Sequence, residues 1–119
     1  MLSLNNELKV RTKLFALAII KFVQELPKNY VSNVIGGQLL RAGTSVGANY
    51  RAACRARSQA EFISKMGIVE EEADESIFWI EILIEAEIIK NGKADSLLKE
   101  ANEILAMTVA SIKTAKKNK

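Results

Sequence analysis

Along this chain apolar residues recur every three or four positions, the spacing of helices that bury one face. The first such stretch runs to about Glu25, with Val10, Leu14, Leu17, Ala18 and Val23 as its apolar stripe and Asn5 or Asn6 as its N-cap. It stops at Leu26-Pro27, because proline disfavours helix in the residue before it, and Pro27, Lys28 and Asn29 make a connector. A second helix follows, capped by Ser32 or Asn33 and stapled by Tyr30 and Val31. Ser58 stands three residues before Glu61, the spacing of a capping box, and opens a third helix from about Gln59 to Lys90. Its seam of Phe62, Met66, Val69, Ala73, Ser76, Ile80 and Leu83 steps by four and three. A second stripe of Ile63, Ile77, Ile84 and Ile88 runs beside the seam, and a face that wide needs two neighbours in a bundle, or a second subunit as well.

Asn91-Gly92 is a helix stop, with Gly92 suited to a left-handed C-cap, and the chain restarts near Asp95. The fourth helix carries Leu97, Leu98, Ala101, Ile104, Leu105, Val109 and Ile112 on one side, and its basic tail, residues 113–119, is expected to fray. Four helices with short connectors predict an all-α, up-and-down antiparallel four-helix bundle, one domain over residues 1–119. No internal repeat, linker or low-complexity tract interrupts it.

The second helix departs from this regularity between Gly36 and Arg57. Gln38, Arg41, Ser45 and Asn49 share one stripe with Ala42, while Leu39, Val46 and Ala53 lie on a flank that can pack apolar neighbours. Gly36, Gly37, Gly43 and Gly47 would each cost about 1 kcal/mol against alanine in an exposed helix, so close backbone approach is expected. Buried polar groups need partners, and the four polar residues are expected to form a hydrogen-bonded register layer with acids of the third helix. The competing reading sets some of them on an assembly interface or a ligand.

Composition narrows the chemistry. With 49% hydrophobic residues, 26% charged residues and one proline, the chain favours helix throughout. Cys54 is the only cysteine, which rules out an intrachain disulfide; it is expected to be a small buried hydrophobe, and a reducing, cytoplasmic setting fits. The apolar run from Leu14 to Val23 is interrupted by Lys21 and lacks a cleavage site, so no secretory signal is read. Ile77 to Ile84 is broken by Glu81, and no run reaches the roughly 20 apolar residues of a membrane span. Glu70, Glu71, Glu72, Asp74 and Glu75 crowd one segment, but a dimetal bundle also uses histidine and this chain has none. No Ser-His or Cys-His pair and no phosphate-cradling glycine loop is available, so no enzyme, metal or cofactor is expected.

Charge is segregated. Residues 1–57 carry a net charge of +7 and residues 58–119 a net charge of −4. Much of this can cancel as ion pairs between helices; the surplus at Lys9, Arg11, Lys13, Arg51, Arg55 and Arg57 is a candidate nucleic-acid surface for RNA or single-stranded DNA. With seven aromatic residues in all, stacking platforms are few. Phe78 and Trp79 are candidate subunit contacts. A protein-interaction scaffold without nucleic-acid binding is the alternative, carried by the wide apolar face of the third helix.

The run from Gln38 to Ala53, Ser58 to Phe62, and Glu71 to Ser76 with Trp79 resembles the bacterial four-helix bundle family that includes the intervening-sequence proteins of 23S ribosomal RNA and, further off, accessory variability proteins of retroelements. The resemblance implies an up-and-down bundle assembling as a homopentamer, with nucleic acid and a protein such as a reverse transcriptase as partners of some relatives. It implies no assigned biochemical activity. Many relatives carry an acid shortly after the asparagine; this chain has Ala52-Ala53 there, so no role for an acid carries over at that point.

Overall fold

The computed structural model describes the backbone of residues 2–118 and the side chains of residues 7–118; the side chains of Asn5 and Asn6, and Lys119, lie outside the described residues. Four helices follow in order: α1 (Leu2–Gln24), α2 (Tyr30–Cys54), α3 (Gln59–Glu85) and α4 (Asp95–Lys117). Each packs on its neighbours in sequence and α4 closes against α1, in a bundle 47 Å long and 22 by 20 Å across. Among the described residues α1 does not meet α3, nor α2 meet α4, so these pairs occupy diagonal corners. The architecture is the expected up-and-down four-helix bundle, and α3 does have two neighbours, α2 and α4.

The core of α3 follows the expected seam. Met66, Val69, Ala73, Ser76, Ile80 and Leu83 are buried, and Phe62 packs at its edge. Ser76 stays in that apolar row because its hydroxyl donates to the Glu72 carbonyl at 2.8 Å. Thr108 of α4 does the same toward Ile104 at 2.8 Å, so neither buried hydroxyl is left unpaired.

In α1 most of the expected stripe faces the wrong way, and of its members only Val23 packs against the core. Leu8, Thr12, Phe15, Ile19 and Phe22, continued by Leu26, form the buried row, whereas Val10, Leu14 and Leu17 are 52%, 58% and 55% exposed. Two apolar rows on opposite sides of one helix satisfy the same periodicity, and Thr12 within the true row disguises it. The helix is already formed at Asn5 and Asn6, so neither stands at its start.

Asn29 caps α2 in place of Ser32 or Asn33, its side chain accepting from the Ser32 N–H at 2.9 Å, and Tyr30 and Val31 are exposed members of the helix rather than a staple. Two of its glycines explain themselves. A Cβ on Gly43 would stand 2.7 Å from Ile19, and one on Gly47 would stand 3.1 Å from the Thr12 carbonyl oxygen, so the backbones of α1 and α2 approach as closely as glycine allows. Gly37 has open space where a side chain would be, and nothing in the structure explains it.

Ser58 caps α3 as expected, accepting from the Glu61 N–H at 3.0 Å. The reciprocal bond shifts by one residue, Glu61 accepting from the Arg57 N–H at 2.8 Å instead of that of Ser58. The helix ends at Glu85, short of Lys90. Glu87 takes the left-handed conformation (φ 59°), its N–H donates to the Ile84 carbonyl at 3.0 Å, and the Ile88 N–H donates to the Leu83 carbonyl at 3.0 Å. That is a Schellman stop built on glutamate, while Gly92 (φ 84°) shapes the turn that follows. At the other end of the chain, residues 113–117 are helical and complete α4.

Candidate functional site

The polar stripe of α2 comes to the surface. Arg41 donates to Glu72 at 3.2 Å and pairs with Glu75, and Glu75 also accepts from the Trp79 indole N–H at 3.0 Å. Trp79 in turn meets Phe78 edge-on at 4.9 Å between ring centroids. Asn49 donates to the carbonyl of Ser45, one turn earlier, at 2.9 Å, and Gln38 is exposed with no partner among the described residues. Only Arg41 of the four reaches the acids of α3. The expected buried register layer is therefore a surface clamp between α2 and α3, because Leu39, Ala42, Val46 and Tyr50 occupy the inward positions of the helix.

A second clamp ties α1 to α4. Arg11 donates to Glu100 at 2.9 and 2.6 Å, to Glu103 at 2.7 Å and to the Met107 sulfur at 3.3 Å, with Glu7 at 3.5 Å. Its bonds to Glu100 and then to Glu103 hold its guanidinium well above the ordinary pKa range. A cation shared among three carboxylates has little left for a phosphate, so Arg11 leaves the candidate nucleic-acid set.

The remaining members collect at one end of the bundle. Lys9, Lys13 and Arg51 line a groove of about 350 Å³ between α1 and α2, floored by Thr12, Gly47 and Ala48. Arg55 and Arg57 follow on the exposed turn into α3. Gln59 hydrogen-bonds the Ala115 carbonyl, which draws the last turn of α4 to the same end and adds Lys113, Lys116 and Lys117. Among the described residues none of these eight cations has an ion-pair partner. The three lysines of α4 were legible in principle: in an up-and-down bundle the C-terminus of the fourth helix must return to the second turn.

Cys54 closes α2 at the same end and is exposed rather than buried, since Tyr50, one turn earlier, fills the inward position. Burial, and secondarily the Cys54 thiol, pushes the Tyr50 hydroxyl above its ordinary range. The acids of α3 divide: Glu72 and Glu75 turn to Arg41, while Glu71 and Asp74 face outward. Among the described residues no three Cys, Asp or Glu side chains converge as metal ligands would, and no helix is long and apolar enough to cross a membrane.

Fold and surface together define a small all-helical bundle protein, clamped by arginines along two seams and basic at one end. The profile of the 23S rRNA-intervening sequence protein family matches residues 5–110, and the chain belongs to that family. It is similar to a protein of unknown function from the S23 ribosomal protein family of Bacteroides thetaiotaomicron, whose crystal structure aligns with a TM-score of 0.86 at 35% identity, covering 92% of this chain and 98% of that one. No curated protein matches.

Proposed function

We propose that the protein is a non-enzymatic, oligomeric helical-bundle binding module that contacts RNA or single-stranded DNA through its basic end. The observation that carries this reading is the gathering of eight unpaired cations from α1, α2, the α2–α3 turn and α4 at one end of a bundle whose other arginines are spent on internal clamps. Unpaired lysines and arginines keep their full charge for phosphates, and binding then releases counterions. Tyr30, the most exposed aromatic residue, opens α2 at the opposite end, so the basic end reads the phosphate backbone rather than stacked bases. Self-association, as a homopentamer, is proposed on the family resemblance, with a cytoplasmic setting and a protein partner such as a reverse transcriptase as its context.

The test is a titration against structured RNA and single-stranded DNA across salt concentrations. Binding is expected to weaken by about tenfold or more between 50 and 200 mM salt, and Arg51→Ala/Arg55→Ala/Arg57→Ala to reduce it further and flatten the salt dependence. Absence of binding to both ligands at low salt refutes the reading and leaves the protein-interaction scaffold.

A further inference from the structure

The outer sides of α1 and α3 are opposites in chemistry. On α1, Val10, Leu14, Leu17 and Ile20 are exposed and lie within one half of the helix surface, directly away from the buried row of Leu8, Phe15, Ile19 and Phe22. Lys21 lies among them, while Lys13 belongs to the basic groove. On α3, Glu71, Asp74, Glu81 and Glu85 fall on one exposed stripe with Phe78, itself 50% exposed, at its centre. Those four acids have no ion-pair partner among the described residues, and no lysine or arginine shares their stripe. Lone exposed hydrophobes are ordinary, but four aligned over more than two turns form a patch.

Position in the bundle gives the pairing its meaning. Because α1 and α3 stand at diagonal corners and each exposed stripe lies opposite its own buried row, the two surfaces look outward from opposite sides of the molecule. An apolar stripe carrying Lys21 offers that lysine no acid when it meets its own copy; it is complementary to an acidic stripe with a phenyl ring at its centre. We propose that the α1 face of one copy docks on the α3 face of the next, a head-to-tail contact in which Phe78 seats among Leu14 and Leu17 while Lys21 meets the acids. Such contacts build rings when the rotation between copies closes, and the pairing rests on the self-association reading above.

Two variants on opposite faces decide it, each checked by circular dichroism for an unchanged helical melt. Light scattering of the unmodified protein is expected to give a multiple of the chain mass, and Leu17→Glu and Phe78→Lys are each expected to reduce it to the monomer. Leu17→Glu retains an intact α3 face and Phe78→Lys an intact α1 face, so mixing the two monomers is expected to give a 1:1 complex of twice the chain mass that grows no further. If the unmodified protein is monomeric at micromolar concentration, the self-association reading falls and this pairing with it. If the protein assembles but either variant keeps the full mass, self-association stands and the assignment of faces is overturned. If both variants are monomers and their mixture stays monomeric, the head-to-tail pairing is overturned.

Discussion

The first and third helices solve the same problem with different remainders. Both bury a row of residues stepping by three and four, yet α3 turns glutamates and an aspartate to the outside, whereas α1 turns valine and leucines there. Periodicity therefore identifies a helix without saying which side is inward; only the polarity of the opposite side does that. On α3 the acids settle the matter from sequence alone. On α1 both sides are apolar, and the true inward row is settled by the fit against α2, where Gly43 and Gly47 receive Ile19 and Thr12.

The contrast can be broken most directly on α1 itself. Ile19→Ala should lower the unfolding free energy by about 3 kcal/mol at every protein concentration. Leu17→Ala should change it by less than about 0.5 kcal/mol at a dilution where the chain is monomeric. Equal losses measured by urea unfolding would mean that the two rows are not inner and outer. Next in size is the α1–α2 contact: Gly43→Ala drives a Cβ into Ile19 and should cost about 2 kcal/mol, while Gly37→Ala, with open space around it, should add about 0.7 kcal/mol. At the end of α3, Glu87→Gly relieves a left-handed residue and should raise stability by about 1 kcal/mol, seen as a higher melting temperature. A small loss belongs to the exposed clamp, where Arg41→Ala should cost about 0.5 kcal/mol and less at high salt.

Much of the bundle was legible before any coordinates. The α3 seam, the Ser58 cap, the restart at Asp95 and the four-helix order all follow from spacing and capping chemistry. What escaped was directional. Gln38, Arg41, Ser45 and Asn49 do share a stripe, but a stripe of mixed small and polar residues beside a clean apolar flank marks the boundary of the core, not its centre. Arg11 looked like its basic neighbours because its acids lie about ninety residues away in sequence. The early end of α3 was hidden because glutamate at a left-handed position carries no glycine signal, and the apolar Ile88 and Ile89 continue the pattern past the stop.

The Arg11 clamp also bears on how the bundle assembles. Three of its seams join helices that are consecutive in the chain and separated by short turns, so their closure costs little chain entropy. The fourth, between the first and last helices, closes a loop of about ninety residues and is the least extensive of the four contacts. Contacts so distant in sequence are the last to be rewarded during folding and the first to be given up on the way out. The α1–α4 seam is therefore the door of the molecule, and Arg11, held by acids on two successive turns of α4, is its latch.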